Sequence, residues 1–189
     1  MPRLPGAATA AIGLAILLAL PVAHAQKKDA PPPYKEEAPD VPDTIAVPAG
    51  LEVVLYAHAT GSQVYICQAA GDSKLAWTLK APEAELHDRK DKVVGSHTAG
   101  PTWKLKDGSE VTGKAAAHVD SLDGESVPWL LLNVVGHAGK GLLTNVTTIQ
   151  RVRTHGGMPP SDSCDATNVN TESKRSYSAD YYFYAPAAK

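Results

Sequence analysis

The chain has 189 residues, with 18 Lys and Arg against 20 Asp and Glu, a formal net charge of −2. So mild a balance excludes the dense basic surface that nucleic-acid binding requires, and the small basic clusters, Lys27-Lys28 and Lys174-Arg175, fall in expected loops. With only two cysteines it is also not a disulfide-dense scaffold.

Residues 1–25 begin with Arg3, continue in an apolar run over residues 10–20, and end on Ala23-His24-Ala25. A basic start, a short apolar core and small residues at one point predict a secretory signal peptide cleaved after Ala25. The run is too short to span a bilayer comfortably, and no later stretch is long and apolar enough, so a soluble mature chain is expected. Cleavage takes away Arg3 and no acid, so 18 basic residues become 17 against 20 acidic, a net charge of −3. The expected location is the periplasm or the medium. Residues 26–47 carry prolines at 31, 32, 33, 39 and 42 and few apolar side chains, which predicts a flexible linker.

From residue 48 the pattern becomes short strands. Residues 51–59 and 63–69 read as a hairpin turned at Gly61-Ser62. Residues 75–80 form a half-buried strand with Leu75, Trp77 and Leu79 on one face, and residues 81–91 read as polar and turn-rich. Residues 93–97 lead into a central stretch, HTAGPTWKLKDGSEVTG, over 97–113. Pro101 forces a rigid corner just after His97. The loop Lys106-Asp107-Gly108 is then read as a three-residue connection, because it pairs Lys104 with Glu110, Trp103 with Val111 and Thr102 with Thr112. That register puts Trp103, Leu105 and Val111 on the buried face and seats Gly108 where a left-handed residue is needed.

Residues 115–121 are ambiguous between strand and a helical turn. Residues 127–135 (VPWLLLNVV) predict a core strand buried on both faces. Residues 142–154 read as one strand whose Val146, Ile149 and Val152 fall out of step with period two, so a bulge is expected near Thr147-Thr148. A long loop follows from His155, and residues 176–184 close the chain with Tyr177, Ala179, Tyr181 and Phe183 on one face. The fold class is therefore all-β, a single-domain antiparallel sandwich or barrel over 48–189.

Exported cysteines pair by default, which predicts a Cys67–Cys164 disulfide. No Gly-x-Ser-x-Gly elbow, His-Glu-x-x-His, phosphate loop or Cys-x-x-Cys occurs, so no cofactor is implied. The mature histidines at 58, 87, 97, 118, 137 and 155 lack metal-ligand spacing, and no metal site is expected. Asn145-Val146-Thr147 matches a glycosylation triplet but reads as strand sequence. Arg151 and Arg153 alternate onto one face; if it faces inward, each needs a carboxylate or an anionic ligand.

His97-Thr98-Ala99-Gly100-Pro101-Thr102-Trp103 with Asp107-Gly108-Ser109 resembles the hallmark of an exported family known as domain of unknown function 3455. Pro128-Trp129-Leu130-Leu131-Leu132, Gln150-Arg151, the glycine corner at 154–157, Cys164 and Ala179-Asp180-Tyr181-Tyr182-Phe183-Tyr184 resemble it too. Thr98 departs from the tyrosine usual after that histidine. The resemblance implies fold and export more than activity.

Three functions follow as expectations. The first is a module binding a small polar or anionic ligand through His97, Trp103 and Arg151. The second is a hydrolase-like enzyme with His97 as general base and Asp107 or Arg151 beside it. The third is a structural or envelope-interaction protein. If His97, Trp103 and Arg151 line one concave, solvent-reachable pocket, the binding and enzymatic readings survive. Should Arg151 be paired elsewhere and His97 merely bond a nearby carbonyl, the motif is architectural and the structural reading leads.

Overall fold

A computed structural model describes residues 1–2, 36–71 and 74–187. The chain divides into two units, Met1–Pro33 and Tyr34–Lys189. The expected signal peptide lies outside the described residues apart from its first two, as does the expected linker up to residue 35. All described residues beyond Met1 and Pro2 belong to the second unit.

Eight antiparallel strands follow in sequence order: β1 Leu51–Ala69, β2 Leu75–His87, β3 Val93–Thr98, β4 Thr102–Leu105, β5 Glu110–Val119, β6 Trp129–Ala138, β7 Thr148–Gly156 and β8 Glu172–Pro186. Each pairs with the next and β1 pairs with β8, so the sheet closes into a barrel. Of the two expected architectures, the barrel is the one formed. Closure leaves no open edge.

The expected hairpin at Gly61-Ser62 is not there. β1 runs 19 residues straight through it, pairing Gly61 with Ala84 on one side and with Tyr177 on the other. A Cβ on Gly61 would lie 2.2 Å from the Glu83 carbonyl oxygen. The glycine allows a close strand approach rather than a turn. β2 likewise continues to His87, so residues 81–87 are strand and the turn is confined to residues 88–92. Pro82 is tolerated beside a register shift at Val64/Tyr65. Its apolar partners in the pattern, Ala84 and Leu86, are buried while Glu83 and Glu85 are exposed.

The hairpin from β4 to β5 has the expected register, Thr102 to Thr112, Trp103 to Val111 and Lys104 to Glu110. Gly108 has φ of 92°, the left-handed conformation the loop requires. The ambiguous residues after 115 are strand, up to Val119.

β6 and β7 depart from the expected pattern. β6 is buried on both faces only in its first half: Leu130 and Leu132 face the barrel interior, Trp129 and Leu131 an outer cluster, and Val135 is exposed. Nor is the bulge at Thr147-Thr148. Residues 142–147 precede β7 as turns, with Leu143 and Val146 buried in the interior cluster. The register shift lies between Val152 and His155, where Arg153 takes φ of 48°. Ile149 therefore points in and Val152 out. β8 has the expected inner row of Tyr177, Ala179, Tyr181 and Phe183.

Residues 36–47, the described end of the expected linker, belong to the folded unit. A short 3-10 turn, Asp43–Ile45, buries Ile45 fully in the outer cluster with Val152, Tyr182 and Tyr184. The Gln150 amide donates to the Ile45 carbonyl (2.7 Å). Cys67 and Cys164 form the expected disulfide, with Cα atoms 5.4 Å apart, tying the loop after β7 to the end of β1. Among the described residues no helix is long and apolar enough to cross a membrane.

Candidate functional site

β3 and β4 meet at the Pro101 corner in a register that sets His97 directly opposite Trp103. Directly opposed residues on neighbouring strands are close enough for flat rings to stack. The imidazole lies on the indole with centroids 4.4 Å apart and planes 7° apart, and Tyr181 from β8 stands edge-on to both. Both His97 and Trp103 are buried.

The Thr102 carbonyl lies 3.0 Å from His97 Nδ1. A carbonyl only accepts, so Nδ1 carries the proton and Nε2 keeps its lone pair. Burial lowers the His97 pKa from 6.5 to about 4, and the charge of Arg151 adds to that, against the opposing pull of the Thr102 hydrogen bond. The ring is neutral at pH 7 and a weak base.

Arg151 sits on β7 between Leu130 and Tyr181. Its Nε and Nη2 donate to the Pro128 carbonyl at 3.1 and 2.8 Å. Next to it the Tyr177 and Tyr181 hydroxyls are 2.7 Å apart. Burial raises both phenol pKa values, and the guanidinium charge works against that. The two arginines do not share a face. Arg151 points into the barrel, whereas the left-handed residue at the bulge turns Arg153 outward onto Asp180 and Tyr182.

His97, Trp103, Arg151 and Tyr181 border one cavity of about 390 Å³. Gln63, His97, Trp103 and Tyr181 form its buried part, with Leu130, Leu132 and Arg151 along the wall and Leu79, Lys80 and Pro101 toward its mouth. None of the described lining residues is acidic. Gln63 Oε1 is buried and has no hydrogen-bond partner among the described residues. Trp103 Nε1, also buried, has the Tyr181 hydroxyl near it but forms no hydrogen bond of good geometry. Buried polar atoms in that state are uncommon and costly.

His97, Trp103 and Arg151 are thus brought together, and Asp107 is not. Asp107 Oδ1 accepts from the Ser109 N–H and hydroxyl and Oδ2 from the Leu142 N–H, which fastens the hairpin loop to the segment before β7. Those hydrogen bonds, the one from Leu142 first, hold its carboxyl below the usual range. Sequence reasoning missed Gln63 and Tyr181 as members of the site. The available signals were an amide at an inward position of a strand and a tyrosine where Phe183 shows an apolar ring suffices.

The family model described as "Protein of unknown function (DUF3455)" matches residues 48–185. The chain belongs to this family. The match takes in all eight strands except the last residue of β8, and every residue named at the cavity. Residues 36–47, which pack on the outer face, precede the DUF3455 match. Neither a curated protein nor a solved structure matches the chain.

Proposed function

We propose that the barrel is an exported binding module that holds a small polar or anionic ligand in the cavity lined by His97, Trp103 and Arg151. One observation carries this reading: an interior arginine without a carboxylate partner among the described residues shares a cavity with the buried, unpartnered Gln63 Oε1. A cavity of this size, mostly apolar with a few convergent polar groups, suits a small molecule. The signal-like residues 1–25 and the Cys67–Cys164 disulfide support a place in the periplasm or the medium.

The test is thermal denaturation of the chain from Gln26 onward in the presence of anions, sugars and amines. At least one class should raise the melting temperature, and the rise should vanish in a His97→Ala, Arg151→Ala double variant. If no compound acts differently on the two proteins, the reading fails.

An architectural reading is favoured by a separate observation, that His97 and Arg151 each also bind a main-chain carbonyl. These bonds orient both side chains without accounting for Gln63 Oε1. The enzymatic reading is supported less well, because the partner of His97 Nδ1 is a carbonyl, not a carboxylate that would raise its basicity.

A further inference from the structure

The cavity's polar groups are not interchangeable, and their kinds restrict what it can hold. Arg151 is the cation of its interior. Lys80 lies at the mouth, exposed, with its ammonium on Glu172. One half-buried guanidinium balances one negative charge in a mostly apolar space, and a second charge would stay uncompensated. That excludes phosphate dianions and favours a carboxylate, met on the Nη1 side of the guanidinium because the Pro128 carbonyl takes Nε and Nη2.

The buried end asks for something else. Trp103 Nε1 can only donate, and Gln63 Oε1 can only accept. His97 Nε2, deprotonated because Nδ1 serves Thr102, is a further acceptor in the same lining. A ligand hydroxyl both donates and accepts, so one such group answers a donor and an acceptor together. It answers equally if the Gln63 amide is turned by 180°. Between the two ends the lining is Leu130, Leu132, Ala115 and Pro82, which fits a hydrocarbon skeleton.

We infer that the ligand is a small hydroxylated monocarboxylic acid, with its carboxylate at Arg151, its hydroxyl at Gln63 and Trp103, and its carbon skeleton against Leu130 and Leu132. This rests on the reading of the cavity as a binding site and narrows it to one chemical class.

The experiment titrates the chain from Gln26 onward with two hydroxy acids, 3-hydroxybutyrate and 4-hydroxybenzoate. Each is compared with its deoxy acid, butyrate or benzoate, and with its own uncharged amide, by calorimetry and tryptophan fluorescence. At least one hydroxy acid should bind, with the deoxy acid and the amide each weaker by roughly tenfold or more. Gln63→Leu should erase the preference for hydroxy over deoxy acid, and Arg151→Gln the preference for acid over amide. Both ratios are read on folded protein, checked by near-ultraviolet circular dichroism. If Arg151→Gln does not fold, the Gln63→Leu ratio still decides. An amide that binds as tightly as its acid, or preferences that survive both substitutions, would overturn the inference. Should neither acid bind while the thermal screen finds another ligand, this inference falls and the binding reading stands. If the screen is empty as well, both fall.

Discussion

β7 and β8 carry two polar-aromatic clusters, one on each face, and they differ in what completes them. On the outer face Asp180 is the hub: Oδ1 accepts from Tyr56 (2.9 Å) and from His58 Nδ1 (2.7 Å), and Oδ2 from Arg153 (3.0 Å). Arg153 also donates to the Tyr182 hydroxyl. Desolvation, with Asp180 adding to it, pushes the Tyr56 pKa up to about 12, so its proton stays on the bond. On the inner face Arg151, Tyr177, Tyr181 and His97 are assembled from the same two strands and β3, without a carboxylate among the described residues. The outer cluster satisfies itself. The inner one lacks an anion, and that difference, more than the presence of arginine or tyrosine in either, separates a structural cluster from a candidate site.

The largest expected effect breaks the inner region. Trp103→Ala removes the ring on which His97, Tyr181 and Phe183 pack, and should cost about 3–5 kcal/mol in urea unfolding. A loss below 1 kcal/mol, about the scale of a surface change, would mean the indole is not part of the core. Breaking the outer region instead should cost less. Asp180→Ala strands three donors at a mostly buried carboxylate and should lower stability by about 2 kcal/mol. It should leave unchanged any thermal shift found in the proposed ligand screen. A changed shift would show that the two faces are coupled.

Acid sharpens the contrast. His97 has a folded pKa near 4, below its unfolded value, so the unfolded chain binds the extra proton first. Its contribution is fully present above about pH 6.5 and is lost as pH falls toward 4. Between pH 7 and 5 the loss should be roughly 2 kcal/mol. Denaturation of His97→Phe across the same range should lack that increment; an identical pH profile would place the titration elsewhere. The smallest effect concerns the strap of residues 36–47. Arg89 pairs with Glu36 at 2.7 Å and lies 3.6 Å over the Tyr56 ring. Because the pair is half-exposed, Arg89→Ala should cost only about 0.5–1 kcal/mol. Faster amide exchange should then appear in the strap before it appears in the barrel. Equal acceleration in both would show that the strap is an inseparable part of the core.

Much of this was legible in residues whose information is local. The register from Thr102 to Thr112 follows from a glycine that must be left-handed and a face that must be apolar. The inner row of β8 follows from alternation alone. The gathering of His97 and Trp103 was readable because only a short corner, stiffened by Pro101, separates them. Other readings failed where a residue had two uses. Gly61 looks like a turn residue and serves as a point of close approach. Val146 looks like a strand residue and is buried from a turn. The pairing of Arg151 with Arg153 on one face assumed period two across a bulge, although Gly156-Gly157 just beyond it marks irregular backbone.

By itself, then, the chain's order of residues determined the all-β class, most strand positions, the central hairpin and the cysteine pair, since period, turn chemistry and cysteine number act over short range or by counting. Pairing between strands decided the rest. β1 on β2 and β2 on β3 brought Gln63 to the cavity that His97 lines, β8 added Tyr181, and the bulge in β7 sent the left-handed Arg153 outward while Arg151 stayed inside. Those relations join residues far apart in the chain, where neither spacing nor periodicity reaches, and only the folded sheet sets their distance.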